Sequence, residues 1–247
     1  MASVDLNRYS RQIKLTQVGV EGQARLAAAR VLIVGAGGLG SPVSMYLAAA
    51  GVGHLVVSDF DRVDESNLQR QIVHSQDNLG QSKASSAKQN LNRLNPATLI
   101  EAIDYELDGE ELEAQVAAAD VVADCTDNFS SRFVLNRATR AANTPLVSGA
   151  AIRWEGQVST FVPEDPDCPC YQCLYPDESI ETVTCEAEGI MAPVVGIIGS
   201  IQALEVLNLL LSAGSGLKGR VLLVDGLAFA CHTMTLRKNV RCPVCSA

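Results

Sequence analysis

Residues Arg30 to Pro42 read "RVLIVGAGGLGSP". Four apolar residues, Val31 to Val34, run into Gly35-x-Gly37-x-x-Gly40, the spacing at which a strand turns tightly into a helix whose N-terminal amides face a phosphate. The next apolar run, "HLVVSDF", ends at Asp59, 19 positions past the last glycine, where an acid can hold ribose hydroxyls. This is a full dinucleotide fingerprint, and its first reading is an NAD site. A tight turn of the same spacing that binds nothing is the bland alternative.

Outward from this turn, strands and helices alternate. "SPVSMYLAAAGV" reads as a helix with Ser41 as N-cap and Pro42 at its first position, and Leu55 to Ser58 as strand two. "KASSAKQNLNRLNP" follows as a helix ended by Pro96, then the strand "TLIEAID" and the short helix "GEELEAQVAAA". The strand "DVVADC", the helix "SSRFVLNRATRAAN" and the strand "TPLVSGA" complete the alternation to residue 150, which predicts a parallel sheet with right-handed crossovers. Ahead of it, residues 1–29 form a helical extension broken near Gly19 and Gly22. Beyond it the character changes. "GQVSTFV" reads as an antiparallel strand, and Asp177 to Gly189, with five acidic side chains, as a mobile crossing loop. "VVGIIGSIQALEVLNLLL" is an almost wholly apolar helix, expected in the core or at a subunit contact, and "GRVLLVDG" and "FACHTMTLR" are two strand-like runs. The fold class expected is α/β: a Rossmann-like, mostly parallel sheet with flanking helices, an N-terminal helical extension and an antiparallel C-terminal extension. One domain is expected over 1–247, with its nucleotide-binding part at 30–150 and a second functional part at 151–247.

With 247 residues, of which 47% are hydrophobic, the chain can bury a substantial core. The polar N-terminus "MASVDLNRYSRQ" lacks the apolar segment of a secretion signal, and the apolar runs fall short of a membrane span, so the expected address is the cytoplasm. A formal net charge of −9 with no runs of Lys or Arg argues against a nucleic-acid surface.

Downstream residues pull away from the nicotinamide reading. "SNLQRQ" places Asn67 and Arg70 just past strand two, and Lys83 starts the following helix. Several separated cations suit the crowded charge of a triphosphate better than one pyrophosphate. In "DCTDN", Asp124 ends a strand while Asp127 and Asn128 occupy the loop at its C-terminal edge, where open α/β sheets bind ligands. A carboxylate there can hold magnesium between phosphate oxygens, or the pair can simply cap the helix that begins near Ser130. Both roles are compatible.

Of the eight cysteines, two pairs have ligand spacing, Cys170-x-x-Cys173 and Cys242-x-x-Cys245. Together they supply the four thiolates of a closed tetrahedral zinc site that fastens the chain's end to a distant loop. Cys125 and Cys231 read as packing residues and Cys168 as incidental. Cys185 lies on the acidic loop, where its thiol is either a nucleophile or a bystander. His54, His74 and His232 lack ligand spacing and read as structural.

The order "RYSRQI", "VLIVGAGGLGSP", "SNLQRQ", "DCTDN", "PLVSGAAIRWEGQV", "CYQCLYP", "GIMAPVVGIIGS", "CPVC" resembles the bacterial MoeB/ThiF family, relatives of ubiquitin-activating enzymes, over nearly the whole chain. The resemblance implies an ATP-dependent adenylyltransferase. Such an enzyme activates the C-terminal glycine carboxylate of a small ubiquitin-like sulfur carrier, ending in Gly-Gly, as an acyl-adenylate and releases pyrophosphate. It implies ATP, Mg²⁺ and Zn²⁺ as cofactors and a homodimer as the assembly.

By the same resemblance Gly38 contacts the nucleotide, Asp59 holds the ribose, and Ser66, Asn67, Leu68, Gln69, Arg70 and Lys83 line the phosphates. Asp127 and Asn128 serve magnesium and nucleotide. Arg11 reaches the triphosphate of the neighbouring subunit, so that Arg11, Arg70, Lys83 and Asp127 form the catalytic set. Cys170, Cys173, Cys242 and Cys245 match the family's zinc ligands, and Cys185 matches a position that bonds covalently to the carrier in the thiamin-thiazole branch. "SGAAIRWEGQV" and "GIMAPVVGIIGS" look more like the molybdopterin branch, whose carrier is MoaD-like. "CLYPDE" and "CPVC" lean toward the thiazole branch, whose carrier is ThiS-like. With the chain ending just past the last knuckle, sulfur is expected from a separate donor protein. An NAD-dependent oxidoreductase and a non-catalytic zinc-bearing interaction module are the readings of another class.

Overall fold

The computed structural model describes residues 7–176, 188–214 and 216–246. Cys185 and most of the acidic stretch lie outside them. The elements are α1 (Ser10–Ile13), α2 (Gly19–Ala28), β1 (Arg30–Val34), α3 (Gly40–Ala50), β2 (His54–Ser58), α4 (Lys83–Leu94), β3 (Leu99–Ile103) and α5 (Gly109–Ala117). They continue with β4 (Val121–Asp124), α6 (Phe129–Ala142), β5 (Leu146–Ile152), β6 (Glu155–Phe161), α7 (Tyr171–Leu174), α8 (Ala192–Leu211), β7 (Arg220–Asp225) and β8 (Ala230–Thr235).

All eight strands join one sheet in the order β3-β2-β1-β4-β5-β6-β7-β8. The first five pair in parallel and the last three antiparallel, as the change of sequence character at residue 151 predicts. The strand order reverses between β1 and β4, which opens a crevice at the carboxyl ends of both.

Alternation along β1 builds the core on both faces. Val31 and Ile33 pack with Leu47, Ile198 and Val206 on one side, whereas Leu32 packs with Val56, Val122, Leu112 and Phe133 on the other. Each such fully buried aliphatic side chain contributes about 1.5–3 kcal/mol of transfer free energy.

The helix α8 is long and apolar enough to cross a bilayer by length and composition. Its Val194, Val195, Ile198, Ala203 and Val206 are nevertheless buried against the sheet and α3, while Ile197 and Leu204 stay exposed.

Three local expectations need correction. Ser41 does not cap α3: it lies inside the helix, fully buried, and its hydroxyl donates to Gly37 O at 2.7 Å. The turn from β1 is so tight that the helix begins at Gly40, two residues earlier than a cap at Ser41 would allow. Gly22 does not break the extension; it sits within α2 because a Cβ there would stand 3.0 Å from Leu211 Cδ2 on α8. Cys231 is not a packing residue. It is exposed on β8, an edge strand whose residues beyond Ala230 are all exposed.

Gly40 shows why the opening motif tolerates so little. A Cβ there would stand 1.9 Å from Gly35 O, an overlap that only movement of the backbone could relieve. Gly40→Ala should therefore lower stability by about 1–3 kcal/mol or more. Denaturant unfolding checks this, and an unchanged midpoint would contradict the geometry.

Candidate active site

The turn after β1 brings the backbone of residues 35–40 against the acid that follows β2. Gly35 takes a φ of +97°, and a Cβ on it would lie 2.7 Å from Cys125 O. The chain thereby exposes Ala36 N–H, which donates to Asp59 Oδ2 at 2.7 Å, while Asp61 N–H donates to Asp59 Oδ1 at 2.9 Å. Burial pushes the Asp59 carboxyl up from its ordinary value, and the nearby Lys83 charge pulls it partly back.

Beneath the turn, His74 fixes the next peptide group, through the carbonyl of Ala36. Its Nε2 lies 2.9 Å from Ala36 O and its Nδ1 2.8 Å from Ser86 Oγ. Burial lowers its pKa, so the ring is neutral near pH 7. A carbonyl can only accept, so Nε2 carries the proton and Nδ1 accepts from the serine hydroxyl. The structural role expected for His74 is thus specific: it holds the carbonyl of the residue whose amide holds Asp59.

These groups open onto a cavity of about 840 Å³ at the strand-order reversal. Gly37, Gly38, Asp59, Arg70, Lys83, Asp127 and Asn128 all line it. Ser66, Asn67, Leu68 and Gln69 do not. They form the turn that delivers Arg70: Asp64 caps a 3₁₀ turn at Glu65–Asn67 through Ser66 N–H, and Asn67 O accepts from the amides of Arg70 and Gln71. Arg11 is exposed on α1 and is not among the lining residues.

Lys83 is buried and its Nζ donates to Asp61 Oδ2 at 2.8 Å, so its charge is parked on a carboxylate at the cavity wall. Arg70 is half-buried, with Nη1 donating to Ser66 O at 3.1 Å. Asp124, by contrast, is fully buried and spent on the chain itself. It accepts from Ser148 Oγ at 2.6 Å and from Thr126 Oγ1 at 2.7 Å. The exposed Asp127 is the acid of that loop that faces the cavity. Asn128 does cap the following helix, accepting from Ser131 N–H at 2.8 Å, and lines the cavity as well. The capping reading is met by Asn128, and Asp127 is left facing the cavity.

The sequence reading missed Gln71. It is buried, its Oε1 has no hydrogen-bond partner among the described residues, and its amide nitrogen lies 3.5 Å from where a Cβ on Gly37 would be. An orphaned buried oxygen beside a glycine cradle fits a ligand that brings hydrogen-bond donors. "SNLQRQ" ends on this residue, so the motif held the signal.

Away from the cavity, Cys170, Cys173, Cys242 and Cys245 bring their Sγ atoms within 4.8 Å of one another. The pairs Cys170–Cys242 and Cys173–Cys245 stand 3.6 and 3.4 Å apart. Four thiolates at ~2.3 Å from one zinc ion are about 3.8 Å apart, so the donor set fits a tetrahedral metal and not a disulfide. Burial pushes the Cys170 thiol up to about 11. Metal uptake must therefore release protons.

A family model described as "ThiF family" matches residues 9–244. The chain belongs to the ThiF family. The molybdopterin-synthase adenylyltransferase of Escherichia coli is 45% identical, over 99% of this chain and 98% of that protein. The sulfur carrier protein ThiS adenylyltransferase of the same organism is 43% identical, over 98% of this chain and 95% of that protein. The SAMP-activating enzyme E1 of Haloferax volcanii is 45% identical, over 98% and 90%. Among solved structures, E. coli MccB with ATP superposes with a TM-score of 0.82 at 22% identity, covering 99% of this chain and 75% of that one. That likeness confirms the Rossmann-like fold of this ThiF-family chain and nothing finer.

Proposed function

We infer that the chain is an ATP-dependent adenylyltransferase that activates the C-terminal glycine carboxylate of a small ubiquitin-like sulfur carrier, forming acyl-AMP and pyrophosphate. The observation that carries this reading is the cavity at the glycine turn. It combines a half-buried ribose-type acid, Asp59, with two separate cations, Arg70 and Lys83, in a chain of the ThiF family. An NAD site needs the acid but has no use for the spread of cations.

The reaction brings an anion to a polyanion, so its main demand is charge. The carrier carboxylate is already ionised at neutral pH and needs no general base. It attacks the α-phosphate, the new acyl–phosphate bond forms, and the bond to the bridging oxygen breaks as pyrophosphate leaves with the electron pair. Arg70 and Lys83 offset the repulsion and stabilise the leaving charge. For Lys83 this means exchanging Asp61 for phosphate oxygens. Gln71 offers its orphaned Oε1 to a hydroxyl or amino group of the nucleotide, and Asp59 fixes the ribose at the glycine turn. Asp127 would hold magnesium, which when bound neutralises charge on the phosphate oxygens.

Arg11 acts from a neighbouring subunit, since its own cavity does not include it. Tyr46, Ile72, Ile197 and Leu204 leave an exposed apolar face on and beside α3 and α8, which supports a homodimer. The four cysteines hold zinc as a structural crosslink. That role suits the cytoplasm, where thiols stay reduced. A separate donor protein supplies sulfur after activation. Cys185, outside the described residues, is either a bystander or the thiol that bonds to the activated carrier.

The carrier we favour is MoaD-like, from the resemblance of "SGAAIRWEGQV" and "GIMAPVVGIIGS" to the molybdopterin branch. A ThiS-like carrier is the second reading, from "CLYPDE" and "CPVC". Exchange of labelled pyrophosphate into ATP with both carriers side by side separates them. The MoaD-like protein should stimulate exchange at least about tenfold more, a difference of ~1.4 kcal/mol in transition-state binding. Equal or inverted stimulation would overturn the preference.

A further inference from the structure

The cavity continues past the nucleotide residues onto the antiparallel half of the sheet. Ala150, Gln157, Leu223 and His232 are direct cross-strand partners on β5, β6, β7 and β8, so they share one face and form a row across four strands. All four line the cavity. The opposite face is taken by α8, since a Cβ on Gly149 or Gly156 would strike Gln202 or Ile198. The row is therefore an open floor leading away from Asp127, on the side from which a second substrate must come if nucleotide fills the glycine turn.

One side chain stands over this floor. Tyr175 lines the cavity, and its hydroxyl accepts from Gln157 Nε2 at 2.7 Å. Its ring meets Phe129 edge-on, with centroids 5.1 Å apart at 67°, and lies 5.2 Å from Tyr171. Phe129 begins α6 directly after Asp127 and Asn128, so the aromatic pair closes the channel next to the proposed magnesium acid. The position of Tyr175 is fixed from outside the cavity. It follows the helical turn α7 that starts after Cys170, and its amide donates to Tyr171 O at 3.0 Å. Tyr171 itself is buried in the core.

We propose that Tyr175, steadied by Gln157, is the specificity-determining wall of the channel through which the carrier's tail reaches the α-phosphate, admitting glycine and rejecting a bulkier penultimate residue. This rests on the adenylyltransferase reading above. A glycine backbone has no Cβ, so it can pass close to an aromatic face on one side and a flat sheet floor on the other. A side chain at the penultimate position meets the ring. Tyr175 touches the tail and takes no part in the nucleotide chemistry, so its loss should alter selection among tails and leave ATP binding alone.

The test uses the full chain in pyrophosphate exchange, with two carriers: one ending in Gly-Gly and the same carrier with its penultimate glycine replaced by alanine. The ratio of their kcat/KM values is the readout. Tyr175→Ala should shrink the wild-type preference for Gly-Gly by about tenfold or more, the scale on which an apolar wall discriminates small groups. The KM for ATP should stay unchanged. Tyr175→Phe keeps the ring but loses the bond from Gln157, so it should retain only part of the preference. Gln157→Ala, which frees the ring, should shrink it in part. Should Tyr175→Ala fail to fold, the Gln157→Ala ratio decides. An unchanged ratio in the folded variants, with exchange intact, overturns the proposal. Absence of exchange in the wild-type chain with every carrier overturns the adenylyltransferase reading and this proposal with it.

Discussion

Replacing Arg70 with alanine should cut carrier-dependent pyrophosphate exchange by about 10²–10³-fold, the scale typical of removing one preorganised donor from a developing charge. The melting temperature should barely move. Arg70 is half-buried at the cavity wall and donates to one backbone carbonyl of its own turn, Ser66 O at 3.1 Å. That contact is worth about 1 kcal/mol at most in such an exposed setting. The turn keeps its shape through other bonds, since Asp64 caps it and Asn67 O receives the amides of residues 70 and 71. Loss of activity without loss of stability would locate the residue on the ligand. Retained exchange would mean that the triphosphate lies elsewhere.

Cys242→Ser should release the metal and lower the melting temperature by at least about 5 °C, given ~2–4 °C per kcal/mol for a chain of this size. The cause is connectivity. Cys242 is 3% exposed, and its sulfur lies 3.6 Å from Cys170 Sγ, so one ion would tie the last turn of the chain to the α7 segment. Among the described residues beyond Thr235 there is no helix or strand, and the segment is otherwise tied down by few bonds, such as Lys238 Nζ donating to Pro166 O at 2.7 Å. Serine is a poor zinc ligand, and three remaining thiolates leave the site open to water. Metal analysis of wild type should give about one zinc per chain. A metal-free wild-type protein of equal stability to the variant would refute the structural-zinc assignment.

The parts of this site that were legible in the sequence are those carried by short spacing. The glycine turn and Asp59 sit at the ends of adjacent strands, so strand register alone brings them together. Each Cys-x-x-Cys pair is local, and four thiols needed only one long-range meeting. What stayed hidden depends on tertiary approach. Lys83 meets Asp61 across 22 residues, and nothing in "KASSAKQ" announces that its charge is already paired. His74 reads as an isolated imidazole until Ala36 O and Ser86 Oγ are both found at hydrogen-bond distance. Tyr175 looks like a loop aromatic beside the first knuckle, and its contact with Gln157 on β6 has no signature. Cys231 was misjudged for a related reason: an apolar strand pattern does not say whether a strand is central or at the edge. The expected cap at Ser41 failed because the motif's own tightness replaces the cap with a backbone turn.

The central claim is that the glycine-turn cavity hosts adenylation of a carrier tail rather than hydride transfer. Intact-mass analysis of a candidate carrier incubated with the chain, ATP and magnesium tests this most directly. The account predicts that the carrier gains one adenylyl group on its C-terminal glycine, removable by hydroxylamine, and that Arg70→Ala leaves it unmodified. A carrier of unchanged mass, beside a chain that binds a nicotinamide dinucleotide in the same cavity, would contradict it.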